Sequence, residues 1–121
     1  MGIVSEVYVP PKPALLDDAL IDSCCTAHDA IKLCWRLRAV KLDQNTAAAK
    51  CEIKPPHFSN ILKGKKYLPP NKIVLFQEVM GNLAITQFLA KESGLRVERE
   101  SREQAEIRRL RHQIAQMKGV A

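Results

Sequence analysis

The residues that could ligate a metal or act as nucleophiles are few and widely spaced. The chain contains four cysteines and three histidines: Cys24, Cys25, Cys34, Cys51, His28, His57 and His112. The cysteines form no repeated CxxC pairs, and no paired histidine motif accompanies them, which argues against a zinc module. We predict reduced thiols and no metal. Cys34 and Cys51 stand where an apolar residue suits a helical pattern, as expected of small buried hydrophobes.

The sequence also lacks the common motifs of enzyme active sites. It contains no GxSxG, P-loop or HExxH pattern, and the histidines are scattered, so an enzyme is the weakest of the functional classes considered. The chain is therefore not expected to be an enzyme, and no cofactor is predicted.

The positive charge of the chain is concentrated in its middle. The net charge is +6, and residues 31–72 alone hold ten Lys or Arg against two acidic residues, which gives +8. Residues 1–30 sum to −4 by the same count. A localised positive field attracts a polyanion such as nucleic acid. A solvated basic face that binds nothing is the alternative explanation.

Composition indicates one helical domain. Of 121 residues, 46% are hydrophobic, 26% charged and only 5% aromatic, which disfavours a large β-sandwich or barrel. No apolar run reaches the ~20 residues that cross a bilayer, and the first residues lack a basic patch followed by an apolar core. The sequence therefore predicts no membrane contact and a cytoplasmic location.

Three segments differ in character. Residues 1–13 hold three prolines and no helical periodicity, and are predicted to form a flexible arm. Residues 14–95 have the apolar periodicity of a helical domain, with a break near residues 23–26 where Thr26 and Asp29 resemble a capping pair. Residues 96–121 favour one charged, amphipathic helix.

The stretch from Leu42 to Gly64 is the most informative. Asp43 is a good N-cap for a short helix over residues 44–51, and the prolines that follow Lys54 must end it. A second short helix is predicted from Pro55 to Lys63, with Gly64 as its C-terminal cap. Further helices are predicted over residues 72–80, capped by Asn71, and over residues 82–93, ended by Gly94.

The final helix carries a short heptad pattern. The residues that form it step by three, four and three positions: Ile107, Leu110, Ile114 and Met117. Only about two heptads are apolar, because Glu103 and Glu100 continue the same face toward the N-terminus. We predict a short dimerising helix. A helix docked on its own domain, or one that frays, is the alternative.

Two short helices joined by a tight turn form a helix-turn-helix when a small residue lies at their crossing. Ala48 supplies that residue, and Ile53, Phe58 and Gly64 follow it by five, ten and sixteen positions. Residues 42–53 and 58–64 resemble the lambda-repressor-like, or Cro-type, helix-turn-helix family, with the similarity extending over about residues 27–95. The resemblance implies an all-α, five-helix domain, here with an extra N-terminal helix and the C-terminal amphipathic helix.

The sequence departs from the family pattern at two places. Glu52 stands where the turn usually has glycine, and a left-handed backbone there costs roughly 1 kcal/mol. Lys54-Pro55-Pro56 replaces the polar start of the second helix, so fewer side chains are left to read bases.

The resemblance also implies a set of DNA contacts. Residues that match positions approaching base edges are Lys54, Pro56, His57 and Asn60. Residues that match or extend the phosphate-contacting positions are Gln44, Asn45, Lys63, Lys65 and Lys66. Asn60 is suited to bidentate pairing with adenine, and His57 to donating a hydrogen bond to guanine or phosphate. The alternative for Asn60 and His57 is that of ordinary exposed polar residues, and for the lysines that of solubilising charge.

The leading hypothesis is a sequence-specific double-stranded DNA-binding transcriptional regulator of phage or prokaryotic type. It would act as a symmetric homodimer on a palindromic operator, in the cytoplasm of a bacterial cell and associated with the nucleoid. The alternative is a protein-interaction module, such as an antitoxin or an adaptor. Such a module would contact its partner through its own helical domain, C-terminal helix or acidic N-terminal segment.

Overall fold

The computed structural model describes residues 12–119, and within that range the chain forms seven α-helices and no strand. The helices are α1 (Asp18–Asp22), α2 (Ala27–Arg36), α3 (Gln44–Lys50), α4 (Pro55–Leu62), α5 (Ile73–Met80), α6 (Ala84–Glu92) and α7 (Arg102–Met117). The all-α prediction is confirmed. The predicted arm lies mostly outside the described residues, which begin at Lys12.

Side-chain caps begin several helices at the residues that the sequence indicates. The Thr26 hydroxyl accepts the Asp29 backbone N–H at 3.1 Å, and the Asp29 carboxylate accepts the N–H groups of Cys25 and Thr26 at 2.9 and 3.2 Å. The bond from Cys25 is the main reason why the pKa of Asp29 lies below its ordinary value. This capping box separates α1 from α2 at the predicted break.

Helix α2 ends at Arg36, although Leu37 and Val40 continue its apolar residues at helical spacing. The Arg38 guanidinium folds back and donates to the carbonyl of Trp35 at 2.8 Å and to that of Leu42 at 3.1 Å. The N–H of Ala39 donates to the carbonyl of Met80 at 2.7 Å. The chain is therefore directed toward the end of α5.

Predicted starts of three later helices are wrong by a few residues. Asn71 does not cap α5, because it lies within a 3-10 turn, Pro70–Lys72, that precedes the helix. Helix α6 begins at Ala84 rather than at residue 82. Helix α7 begins at Arg102 rather than at residue 96, because Ser101 and Gln104 form a capping box there.

An aromatic cluster lies at the centre of the bundle. Phe58 of α4 and Phe76 of α5 are both fully buried, with ring centroids 6.0 Å apart. The half-buried Trp35 of α2 meets Phe58 edge to face at 5.6 Å, and the Arg38 guanidinium covers the outer face of its ring at 3.9 Å. Helix α2 packs against α4, α5 and α6, and is therefore the central helix of the bundle.

Buried amides join parts of the chain that are distant in sequence. The Asn82 side chain donates to the carbonyl of Cys34 at 3.0 Å and to that of Leu37 at 3.3 Å, and thereby links the end of α2 to the start of α6. The Gln87 side chain accepts the N–H of Leu16 at 2.8 Å and donates to its carbonyl at 2.9 Å. The residues before α1 are thus held against α6.

Helix α7 differs from the other helices because none of its residues is buried. Among the described residues, no helix has both the length and the hydropathy that crossing a membrane requires.

Candidate functional site

Helix α3 begins at the predicted cap and presents two small residues to its neighbour. The Asp43 carboxylate accepts the N–H of Thr46 at 2.8 Å, and hydrogen bonding to Thr46 lowers the pKa of this carboxyl. Ala47 and Ala48 are fully buried, and α3 packs against α4. Residues without long side chains allow two helices to approach closely where they cross. The location of Ala48 therefore agrees with the role that its spacing predicts.

The turn after α3 has the hydrogen bonds of a Schellman motif. The N–H of Ile53 donates to the carbonyl of Ala48 at 2.9 Å, and the N–H of Glu52 donates to that of Ala49 at 3.1 Å. Glu52 has a φ of 58°, the only positive φ outside glycine among the described residues. The residue that stands in place of the usual glycine thus has a left-handed backbone. Its carboxylate accepts a hydrogen bond from the Lys72 ammonium at 3.5 Å.

Helix α4 buries one face and exposes the rest. Phe58 and Ile61 are fully buried, so their role is in the core. Lys54 is the N-cap and makes no side-chain capping bond, while Pro55 and Pro56 fill the first turn. Because proline has no N–H to satisfy, the helix starts here without a polar cap.

Two features make Gly64 suited to the position after α4: its left-handed backbone, and its lack of a side chain beside His28. Gly64 has a φ of 81°, and the N–H groups of Gly64 and Lys65 donate to the carbonyls of Ile61 and Asn60 at 3.1 and 2.9 Å. A Cβ at this glycine would lie 2.9 Å from Cε1 of His28. The Nε2 atom of His28 is 3.0 Å from the carbonyl oxygen of Leu62, so the ring joins α2 to the last turn of α4.

The residues predicted to contact DNA lie at the surface of this two-helix unit, although not all to the same degree. The exposed members are Gln44, Asn45, Lys54, Pro56, Lys63, Lys65 and Lys66. His57 and Asn60, predicted to point outward, are half-buried in the folded chain. Each retains part of its surface for a ligand, and neither belongs to the apolar core.

The lysines after α4 are not neutralised by neighbouring acids. Within residues 12–119, five ion pairs form, and none involves Lys63, Lys65 or Lys66. The loop that carries them is fixed at both ends, because the N–H groups of Lys65 and Lys66 donate to the Asn60 carbonyl and Leu68 is buried. A fixed loop with unneutralised ammonium groups suits the binding of an anion.

Tyr67 is a candidate that the sequence reasoning missed. Its side chain is 95% exposed, directly after Lys65 and Lys66 and directly before the buried Leu68. An aromatic ring beside basic residues is a typical signal of contact with unpaired bases, and on a duplex the tyrosine hydroxyl can donate to a phosphate. This signal was present in the sequence.

The N-terminus of α3 is less suited to binding phosphate than the family resemblance implies. The Asp43 carboxylate occupies one of the amides of the first turn and places a negative charge at the helix end. This charge opposes the attraction of the helix dipole for a second anion. A phosphate contact at this end would therefore depend on the side chains of Gln44 and Asn45, which are exposed.

The predicted dimerisation residues share one exposed face of α7. The exposed fractions of Ile107, Leu110, Ile114 and Met117 are 48%, 49%, 50% and 84%. Together with the absence of any buried residue in α7, these values make the face available to a partner.

All four cysteines are free, and three of them are buried. Burial raises the pKa of Cys34 to about 12 and that of Cys51 to about 11, and it also raises the pKa of Cys24. Cys25 is exposed. No group of three potential metal ligands occurs among residues 12–119.

The chain was compared with protein-family models, with curated proteins and with solved structures. No family model, curated protein or solved structure matches it.

Proposed function

We propose that the chain is a sequence-specific, double-stranded DNA-binding regulator of the lambda-repressor-like helix-turn-helix type. In this proposal α3 and α4 are the two helices of the motif, and α4 is the recognition helix that enters the major groove. The bound partner is a polyanion because the unit belongs to the segment of the chain with a net charge of +8.

One observation carries this proposal. The turn between α3 and α4 has its left-handed residue at Glu52, the two helices pack against each other, and Ala47, Ala48 and Phe58 are fully buried. These are the positions at which the family pattern requires a special backbone, small residues and an apolar anchor. The residues proposed to meet DNA all lie outside the apolar core.

The proposed contacts divide by function. Lys63, Lys65 and Lys66 hold the phosphate backbone after the recognition helix, with Gln44 and Asn45 at the start of α3. Asn60 and His57 read base edges, assisted by Lys54 and by the apolar surface of Pro56. Specificity then depends on few side chains, because the two prolines replace polar residues at the start of α4. The complete unit would be a symmetric dimer on a palindromic site.

The first experiment identifies the ligand. The full chain is incubated with a library of random DNA duplexes, and the bound molecules are amplified and sequenced over several rounds. A recovered palindrome is the expected result, since it would report specificity and two-fold symmetry together. Recovery of unrelated duplexes after several rounds would contradict sequence-specific binding.

The second experiment separates phosphate contacts from base contacts. Log K is measured against log salt for the wild type, for Lys65→Ala/Lys66→Ala, and for a matched control, Lys12→Ala/Lys118→Ala. We expect the loop variant to reduce the salt slope by up to about two and the control to leave it unchanged. A flat slope for the wild type would contradict binding through phosphates.

A single substitution tests base reading. Asn60→Ala should cost ~1–3 kcal/mol on the selected site and little on random DNA. Equal losses on both DNAs would remove Asn60 from the recognition surface. Tyr67→Ala, measured in parallel, tests whether the exposed ring adds affinity.

The alternative is a protein-interaction module, and one observation favours it. The apolar face of α7 is exposed, and such a face fits a protein partner as well as a second copy of the chain. If the DNA selection enriched no sequence and the chain did not associate with itself, the results would favour this alternative.

A further inference from the structure

The apolar face of α7 has no partner within residues 12–119. Its four large apolar side chains, Ile107, Leu110, Ile114 and Met117, remain about half exposed or more. Helices of about 12–15 residues are marginal in water without tertiary contacts, and α7 has 16 residues. An apolar stripe on such a helix is expected to be covered in the working protein.

Charge placement beside the stripe identifies the occupant. With Ile107 and Leu110 at heptad positions a and d, Glu106 is at position g and Arg111 at position e. In a parallel pair, position g of one helix faces position e of the next heptad on the other. Glu106 would then face Arg111 of the second copy, twice by symmetry.

The antiparallel arrangement lacks this complementarity. Its flanking contacts join e to e and g to g. With Ile107 level with Met117 of the second copy, these contacts bring the two copies of Arg111 together at the centre and pair Gln113 with Gln113, so Glu106 gains no basic partner at its flanking position. Like charges at such positions are unfavourable, and they act against this alignment.

The ion pairs within one chain leave Arg111 available for this role. Arg108 donates to the Glu100 carboxylate at 2.9 and 3.0 Å, and Arg109 donates to that of Glu106. Within the described residues, no carboxylate pairs with Arg111. Glu106 has two carboxylate oxygens and lies at the helix surface, so it can accept a second donor from a partner.

We infer that α7 associates with α7 of a second copy as a parallel, in-register, two-stranded coiled coil, whose polarity is set by Glu106 and Arg111. This inference deepens the dimer of the proposed function. Its test uses no DNA, so its failure and the failure of DNA binding are observed separately.

The first test measures dimerisation of the full chain by sedimentation. We expect Glu106→Arg and Arg111→Glu each to weaken the dimer by about tenfold, because two symmetric pairs become repulsive. The double variant should restore wild-type affinity. Gln116→Arg, at an outward c position, is a control for simply adding charge. A monomeric wild type at micromolar concentration, or single variants that dimerise like the wild type, would overturn the inference.

Glu103 supplies a second, independent prediction. It occupies a d position in the first turn of α7, so a parallel pair brings the two copies of its carboxylate together. Glu103→Gln should therefore strengthen the parallel dimer, with a larger gain at low salt. In the antiparallel alignment Glu103 lies beyond Met117 of the second copy, and the substitution should change nothing.

Cross-linking reads the orientation directly. In a Cys25→Ser background, which removes the exposed native thiol, Met117→Cys should form an intermolecular disulfide under mild oxidation. An antiparallel pair would set these residues about 15 Å apart along the helix axis and give no bond. His112→Cys, on the outer face, is the control for random collisions. Since α7 buries nothing, these variants should leave the bundle folded, as its circular dichroism can verify.

Discussion

Helices α4 and α7 both place large apolar residues three positions apart, but those of α4 are buried and those of α7 are exposed. The eight residues of α4 include two fully buried apolar side chains, whereas the sixteen of α7 include none. The difference lies in what surrounds each helix. Helix α4 packs against α2 and α3 and ends at a glycine covered by His28, while the stripe of α7 is open to solvent.

Local interactions alone specify α7. A capping box at Ser101 begins the helix, and the Glu100–Arg108 and Glu106–Arg109 pairs lie along its surface. Such contacts define where a helix starts but contribute little stability when exposed. The comparison teaches that α7 adds no buried residue to the bundle, so we expect folding of the bundle and the proposed assembly through α7 to be separable.

The largest difference between the two regions is expected when one large apolar side chain in each is replaced by alanine. Phe58→Ala should destabilise the bundle by about 3–5 kcal/mol, because it empties the centre of the aromatic cluster. Leu110→Ala is the matched change in α7 and should leave the unfolding transition of the bundle unchanged at concentrations where the chain is monomeric. Urea denaturation followed by Trp35 fluorescence measures both. Equal destabilisation by the two variants would show that α7 belongs to the folding unit.

A smaller effect is expected from paired glycine substitutions. Gly64 and Gly119 have similar φ values of 81° and 73°, but only Gly64 has a neighbour within 4 Å of an added Cβ. Gly64→Ala should cost the bundle at least about 1 kcal/mol from the left-handed backbone alone, and more from contact with His28. Gly119→Ala should not alter bundle unfolding. Thermal melts of the two variants provide the comparison, and a Gly64→Ala protein as stable as the wild type would contradict this account.

Lowering the pH is expected to give the smallest difference in stability between the bundle and α7. Hydrogen bonds to Thr46 lower the pKa of Asp43 in the bundle, and those from Arg108 lower the pKa of Glu100 beside α7. A carboxyl with a lowered folded-state pKa adds stability that is fully present above its unfolded value and is lost as pH falls through the folded one. These contributions should therefore disappear below about pH 4.

The measurement is a pH titration of backbone amide chemical shifts. Because α7 has no buried contact, its helical shifts should be lost before the core of the bundle unfolds. One shared transition for both regions would be the opposite result.

Local signals made much of the fold predictable. Thr26, Asp43 and Gly64 act at short range, so their types and spacing define helix ends without knowledge of the rest of the chain. The left-handed Glu52 was predictable for the same reason, from its place in a spaced motif.

Long-range contacts were not predictable in this way. The end of α2 depends on a bond from Ala39 to Met80, and the delayed start of α6 on the buried amide of Asn82. Arg96, predicted to be helical, instead lies 3.4 Å from the carboxylate of Asp18.

The bonds between Leu16 and Gln87 span 71 residues. Closing so long a loop costs considerable chain entropy, so we expect this contact to form late on the folding pathway. It would also be among the first to open in the native state, which should leave the amide of Leu16 exchanging with solvent faster than those of α2. We therefore expect the segment before α1 to dock against α6 only after the rest of the bundle has assembled.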